Sequence, residues 1–263
     1  MNRTIISKKV TNRLGNWCEE SILREEKLRE LLGRVEQGDV EFKRQEHKMK
    51  MSNLPVSISP SLNFKQNIMI KSAFLNGYVS AVVPDSYPHI KPTERIPVTI
   101  SSAQDPREGT SRSCFQLESV FEVDRKNTAV RWGEKFYITL QLPGLDRKLY
   151  LNSLPSSFAT HTWNNCLQTV YLSFECGSES MWKLDWIDLE YRMEMEYKEV
   201  LPYQNGLLTH VQTGNHLSSD PNVNHVIRSD FGVENLVGCH SYRNFSTRLD
   251  KDENLFCFAT KPQ

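Results

Sequence analysis

A cysteine stands directly beside a histidine at Cys239-His240. A thiol next to an imidazole could form the nucleophile–base pair that covalent catalysis needs. The surrounding residues are typical of a β-strand, however, and neighbouring side chains on a strand point to opposite faces of the sheet. The two groups therefore cannot pair directly, and we do not expect a catalytic thiol at this position.

Other residues that could do chemistry have the wrong spacing for it. His210 and His216 have no cysteine or carboxylate at metal-ligand spacing, which argues against a zinc site. Glu194 and Glu196 alternate with methionines in a strand-like run, a pattern that favours a solvated face over an acid/base pair. Glycine-rich phosphate loops and the G-x-S-x-G motif are absent from the sequence. The sequence predicts a protein that is not an enzyme and that needs no cofactor or metal.

Composition limits the cell compartments and the classes of partner that fit this chain. The 32 basic and 32 acidic side chains cancel, whereas nucleic-acid binders usually carry a basic excess. Neither a signal peptide nor an apolar run long enough to span a bilayer is present, so we expect no membrane contact. Because no C-x-x-C pair occurs, free thiols in a reducing compartment are expected for the six cysteines, Cys18, Cys114, Cys166, Cys176, Cys239 and Cys257.

The elements that would position these residues fall into two parts. Residues 1–50 form a charged arm whose helical pattern begins after Asn16, a good N-cap residue, and carries one apolar stripe that includes Leu28 and Leu32. That helix could pack back on its own domain or dock on a partner, and the sequence leaves both readings open. Residues 51–62 contain two prolines and several serines and are interpreted as a linker.

Residues 63–263 carry short alternating apolar runs separated by turn residues, which is typical of β-strands. Three segments share one order of features: a turn, a strand, a second turn, and then an aromatic, an apolar and a polar residue. They begin at Gln66, Gly133 and Gly206. Three units that cannot each bury their own apolar face favour a closed arrangement. The predicted fold is mainly β: a three-repeat β-trefoil-like body with a helical N-terminal arm.

Three stretches, in this order along the chain, carry a resemblance to a known family: Arg13-Leu14-Gly15-Asn16-Trp17, Val130-Arg131-Trp132-Gly133-Glu134-Lys135-Phe136 and Arg228-Ser229-Asp230-Phe231-Gly232-Val233-Glu234. Together they resemble the cilia- and flagella-associated protein 161 family over about residues 10 to 260. The resemblance implies a structural microtubule inner protein in the lumen of the A-tubule of axonemal doublets. It would stabilise the doublet for ciliary or flagellar motility.

The resemblance also implies partners and a place in the cell. The partners would be tubulin of the A-tubule lumen and neighbouring microtubule inner proteins, and the location the cytoplasm, cytoskeleton and axoneme of a cilium or flagellum. Arg13, Asn16 and Trp17 of the first stretch are the expected partner-binding residues. Trp17 also lies between a turn and the acidic start of the helix, a position that favours an anchor outside the β domain.

A second hypothesis comes from a different class of protein. Trefoil-like repeats also serve as carbohydrate- or ligand-binding modules, which would need an exposed aromatic side chain in each repeat. Tyr78, Tyr150 and His216 occupy corresponding positions. They fit that role if they are exposed, and they fit core packing, the interpretation we favour, if they are buried.

Overall fold

The computed structural model describes residues 25–26, 28–30, 32–33, 53–57, 59–84, 86–101, 109–121, 128–155, 167–219, 226–229, 232–244 and 246–260. Backbone contacts divide the chain into two units, Met1–His47 and Lys48–Gln263. In the first unit the described residues are helical, and Leu28 and Leu32 of the apolar stripe are exposed. The rest of that unit lies outside the described residues.

The segment interpreted as a linker is part of the second unit. Asn53–Leu54 pairs in antiparallel fashion with Gly109–Thr110. Val56 and Leu62 are buried, and the Leu62 carbonyl accepts a hydrogen bond of 2.8 Å from the Val130 amide. The prolines and serines gave a correct signal of irregular backbone, but the apolar side chains between them pack on the β domain. The linker prediction for 51–62 is therefore corrected for the described residues of that segment.

The predicted mainly-β fold is confirmed, and the Val-, Ile- and Phe-rich runs lie in its strands. In chain order the strands are β1 (Asn53–Leu54), β2 (Met69–Ser72), β3 (Tyr78–Ala81), β4 (Ile96–Ser101), β5 (Gly109–Thr110), β6 (Phe115–Ser119), β7 (Lys135–Leu140), β8 (Leu149–Ser153), β9 (Gln168–Ser173), β10 (Met181–Asp185), β11 (Gly206–His210), β12 (Leu217–Ser219), β13 (Val226–Ser229), β14 (Gly232–Cys239) and β15 (Leu255–Ala259). The described residues of the second unit also contain one short α-helix, α1 (Arg192–Met195), and two 3-10 turns, Ser178–Ser180 and Asp252–Asn254.

Six strands form a closed ring. Antiparallel pairing runs from β6 to β7, then through β10, β11 and β15 to β2. Ile68, next to β2, closes the circle by exchanging two backbone hydrogen bonds, of 2.8 and 2.9 Å, with Phe115 of β6. Every strand of the ring therefore has a neighbour on both sides, and the ring has no open edge.

Three hairpins adjoin the ring, and we call them the cap. They are formed by β3 with β4, β8 with β9, and β12 with β14. One strand of each hairpin also pairs with a strand of both other hairpins, because β4, β9 and β14 contact one another in all three combinations. The three hairpins of the cap are therefore joined by backbone hydrogen bonds, although their strands come from distant parts of the chain.

The core lies inside the ring and beneath the cap. Strand β7 shows the expected alternation, with Phe136 and Ile138 fully buried and Lys135 exposed. Trp182 of β10 is fully buried, and its indole N–H donates to the Leu151 carbonyl at 2.8 Å. Burying such large apolar side chains contributes about 1.5–3 kcal/mol each.

One buried ion pair joins the cap to the segment before β6. Arg112 and Glu234 have side chains only 1% and 3% exposed. The Arg112 guanidinium donates to both carboxylate oxygens of Glu234, and the Thr99 hydroxyl donates to the same carboxylate at 2.7 Å. Thr99 lies on β4 and Glu234 on β14, so this cluster holds two of the three hairpins against each other.

Candidate interaction surface

Cys239 and His240 have separate surroundings, as the strand interpretation predicts. Cys239 is buried at the end of β14, and burial raises the pKa of its thiol to about 12. The Ser153 hydroxyl approaches its sulfur at 3.5 Å. His240 is half-buried, and its ring packs on Tyr242 with centroids 4.5 Å apart. A thiol with such a pKa is not a nucleophile at neutral pH.

His216 belongs to a buried polar chain on the side of the ring. The Thr209 hydroxyl donates to Asp185 at 2.8 Å, so it accepts from Nδ1 of His216, 2.9 Å away. That tautomer leaves Nε2 of His216 without a hydrogen-bond partner, 3.8 Å from a carboxylate oxygen of Asp250. Desolvation lowers the pKa of His216, although Asp250 acts in the opposite direction. The groups resemble a hydroxyl–imidazole–carboxylate set, but Thr209 is buried and its hydroxyl hydrogen is committed to Asp185.

His210 is held by structural hydrogen bonds. Its Nδ1 lies 2.9 Å from the Thr213 hydroxyl and its Nε2 lies 3.0 Å from the Glu179 carbonyl. Within the described ranges, no group of three or more histidine, cysteine or acidic side chains is placed to hold a metal ion. In the same ranges, no helix has the length and apolar character that crossing a bilayer requires.

The three residues that a ligand-binding trefoil would expose are not equivalent. Tyr78 and His216 are buried. Tyr150 is half-buried, and its ring packs edge-on against Tyr137 with centroids 6.0 Å apart. Two of the three therefore fit the core-packing interpretation and are not available to a ligand.

The strand-like run around Glu194 and Glu196 is a helical turn, which corrects the sequence prediction. In α1 the Met195 amide donates to the Tyr191 carbonyl at 3.0 Å, and the Glu196 amide donates to the Arg192 carbonyl at 3.0 Å. Strand β10 pairs on both sides with β7 and β11, and the connection that follows it pairs farther along, through Glu199, with Arg131. Before that pairing the chain forms the turn, whose Met195 side chain packs against the core.

A cleft with a volume of about 240 Å³ opens between this connection and β10. Its wall contains two indoles in edge-on contact, with the centroids of Trp132 and Trp186 5.1 Å apart and the rings inclined by 86°. Trp132 is fully buried, and its indole N–H meets no hydrogen-bond acceptor among the described residues. Leu189 and Met193 form an exposed apolar rim. The polar groups at the cleft are Lys183, Asp185, Arg192 and Glu196.

Both cations at the cleft are already engaged. Lys183 lies 3.0 Å from Asp185, and Arg192 donates twice to the Trp186 carbonyl, at 3.0 and 3.1 Å. Glu196 is exposed, and no hydrogen bond or ion pair from the described residues reaches its carboxylate. Arg192 keeps its positive charge, so the charges of the lining cancel, and Glu196 is the carboxylate that no described residue pairs with.

The connection between β10 and β11, residues 186–205, presents several large apolar side chains to solvent, although Val200 is fully buried in the core. Met193 is 85% exposed and Tyr197 is 68% exposed, and four further large side chains are also exposed, Leu189, Tyr191, Leu201 and Tyr203. The segment holds five acidic and two basic residues. Exposed apolar groups gathered in one segment mark an interaction surface more often than a chance arrangement. We call residues 186–205 and the adjoining cleft the acidic apolar surface.

Sequence reasoning missed this surface and placed the partner-binding site elsewhere. Arg13, Asn16 and Trp17 lie outside the described residues, so their role stays a prediction. The sequence did contain a signal for the missed surface. Apolar residues alternate with charged, mostly acidic residues from Trp186 to Tyr197. That alternation was interpreted as one exposed face of a strand.

Comparison with known proteins gives consistent results. The family model described as a cilia- and flagella-associated protein 161-like domain matches residues 79–261. The chain is 26% identical to cilia- and flagella-associated protein 161 of Bos taurus, with 94% of this chain and 80% of that protein aligned. The Danio rerio protein of the same name is also 26% identical, with 94% of this chain and 86% of that protein aligned.

Two solved structures have a similar fold. A Caenorhabditis elegans protein of unknown function aligns over 78% of this chain and 99% of its own, with a TM-score of 0.53 and 15% identity. The Saccharomyces cerevisiae protein O-mannosyltransferase Pmt1-Pmt2 complex aligns over 78% of this chain and 26% of that chain, again with a TM-score of 0.53 and 15% identity. At this identity the likeness concerns the fold alone.

Proposed function

Because the chain belongs to the family of cilia- and flagella-associated protein 161-like domains, we propose that it is a structural microtubule inner protein. It lies in the lumen of the A-tubule of axonemal doublets and stabilises the doublet during ciliary or flagellar beating. The observation that carries the proposal is the family match over residues 79–261, together with relatives named as cilia- and flagella-associated proteins.

The physical properties of the second unit support a scaffolding role. The closed ring and the three-hairpin cap form a body with a large buried core, and six of the ten large apolar side chains that are exposed in its described residues lie on one connection. A rigid body with one adhesive surface suits a protein that is held between fixed neighbours. Tubulin and adjacent inner proteins are the proposed partners.

The body is proposed to be a β-trefoil built from three repeats. In that arrangement each repeat supplies two strands to the ring and one hairpin to the cap. The recurring pairing supports this: β2 and β6 flank the first hairpin along the chain, β7 and β10 the second, and β11 and β15 the third. Residues 1–50 are proposed to act as the arm that docks on a partner through Arg13, Asn16 and Trp17.

Localisation and extraction test the proposal together. A tagged protein should colocalise with axonemes of ciliated cells and remain with them after detergent and a moderate salt wash, because a luminal protein is enclosed as well as bound. Surface electrostatic attachment would weaken as salt screens it. Electron cryo-microscopy of doublets from cells with and without the gene should show density inside the A-tubule that the deletion removes. Full release by salt from intact doublets, or identical lumens in the two samples, would refute the proposal.

A further inference from the structure

The cleft of the acidic apolar surface has a size and chemistry that select one kind of ligand. At about 240 Å³ it is smaller than the roughly 300–1,000 Å³ of pockets for drug-sized molecules. That space suits a single long side chain better than a nucleotide or an oligosaccharide. Because the cleft lies among exposed apolar groups, a side chain that enters it would bring the rest of a partner protein against them.

The charge of that side chain follows from the groups that remain available. Asp185 neutralises Lys183, and the Trp186 carbonyl takes two donors of Arg192. Glu196 keeps an unpaired carboxylate, and the connection around it carries three more acidic than basic residues. A guanidinium or ammonium group would pair with Glu196, and the acidic excess of the connection, which already counts Arg192, would favour a cation over an anion.

The aromatic wall adds a second preference for a cation. Trp186 is half-buried and supported edge-on by Trp132, so its position is fixed before any ligand arrives. Cations bind favourably over the face of tryptophan, and guanidinium groups do so most often. A preorganised site loses less entropy on binding than a mobile one.

The Glu196 side chain lies close to Gly133, the residue that follows Trp132. Gly133 has φ +76°, a conformation that favours glycine, and a Cβ built on it would lie 3.3 Å from Cγ and 3.6 Å from Oε1 of Glu196. The Glu196 side chain therefore lies across Gly133, directly after Trp132. Glu196, Gly133 and Trp132 therefore all belong to the lining of the cleft.

We propose that the cleft receives an arginine or lysine side chain of a partner protein, which pairs with Glu196 and packs against Trp186. Apolar residues that flank the basic residue in the partner pack on Leu189 and Met193. The proposed function enters this inference at one point: it places the partner protein in the axoneme.

The isolated full-length protein allows a direct test by NMR, through the indole N–H signals of its five tryptophans. The probe is the peptide N-acetyl-Leu-Arg-Leu-amide, compared with peptides that carry citrulline or glutamate in place of arginine and with the sugar mannose. We expect the arginine peptide to shift the signals of Trp132 and Trp186, assigned by single Trp→Phe variants, and the citrulline peptide to bind more weakly. Raising the salt concentration should weaken the arginine peptide further.

Two matched variants locate the effect. Glu196→Gln should weaken binding of the arginine peptide by at least about fivefold, because the ion pair is lost. Glu194→Gln, an equal change of charge on α1 away from the cleft, should leave affinity unchanged. Both side chains are exposed, so both variants should fold normally.

The outcomes separate this inference from the proposed function. Equal binding of arginine and citrulline peptides, equal effects of the two variants, preference for the glutamate peptide or mannose, or no shift with any probe would each overturn the cleft assignment. If the arginine peptide binds as expected but the protein is absent from axonemes, the proposed function fails and the cleft assignment stands. If the Glu196→Gln protein enters axonemes normally and binds the arginine peptide normally, the cleft assignment fails alone.

Discussion

Breaking the buried ion pair between Arg112 and Glu234 should destabilise the β domain strongly. Arg112→Met removes the guanidinium and leaves the Glu234 carboxylate buried with only hydroxyl donors. Breaking one side of such a pair typically costs about 3–5 kcal/mol, because an uncompensated charge stays in the interior. For a domain of about 200 residues each kcal/mol shifts the thermal midpoint by about 2–4 °C, so a fall of about 6–20 °C is expected.

Urea denaturation and thermal scans followed by circular dichroism would measure this loss. Lys148→Met is the matched control, because it breaks an ion pair that is partly exposed. The Lys148 side chain is 41% exposed and that of its partner Glu118 is 18% exposed. An exposed pair is worth less than about 1 kcal/mol. The double variant Arg112→Met with Glu234→Leu should recover most of the stability, since two apolar groups then replace two charges. Equal costs for Arg112→Met and Lys148→Met would refute the reasoning, as would a double variant no more stable than Arg112→Met alone.

The same pair sets an acid limit to stability. Burial alone raises the pKa of Glu234, but hydrogen bonds and charge from Arg112, with hydrogen bonds from Thr99 and Ser101, outweigh it and hold the pKa below the ordinary value. The unfolded chain therefore takes up this proton first as pH falls. The stabilisation is present at neutral pH and is lost from the ordinary glutamate range, about 4.3, downward through the lowered pKa. The double variant should lack this part of the acid sensitivity.

Three further changes test other parts of the structure. Gly206→Ala places a methyl group 2.6 Å from the buried ring of Trp132 and should cost about 1–3 kcal/mol in urea denaturation, whereas Gly177→Ala, which meets nothing within 4 Å, should be neutral. In native protein a maleimide should label the exposed Cys176 and spare Cys239, whose thiol pKa burial raises to about 12, until the protein is unfolded; peptide mapping that finds both labelled at equal rates would contradict the burial. Trp17→Ala should leave the thermal midpoint nearly unchanged and reduce incorporation into axonemes, since aromatic anchors often carry about 2 kcal/mol or more of an interface. A midpoint lowered by many degrees would instead place that ring in the core.

Local pattern was enough to predict the strands of the β domain. Alternation in runs such as Phe136-Tyr137-Ile138 reflects burial on one face, and a strand shows that period in its own sequence. The divergence of Cys239 and His240 followed from the same period. These predictions depend on a few consecutive residues, so distant parts of the chain did not alter them.

Predictions failed where tertiary structure decides. The methionine–glutamate alternation near Glu194 has the period of a strand, but these residues form a helical turn, and the chain pairs with Arg131 only farther along, at Glu199. Leu62 looked like part of a linker because the sequence does not show that it lies against Val130. The Arg112–Glu234 pair joins residues 122 positions apart, and the cleft needs β10 and its following connection to fold together. Sequence pattern alone contains no signal for such contacts.

The way the ring closes has a consequence for synthesis on the ribosome. β15 is the last ring strand to be translated, and it is the strand that joins β11 to β2. Until residues 255–259 emerge, β2 and β11 each expose a row of unpaired backbone groups to other nascent chains and to chaperones. A chain truncated before residue 255 would contain the five remaining ring strands but could not close the ring. Closure of the ring therefore depends on the last of its strands to be synthesised.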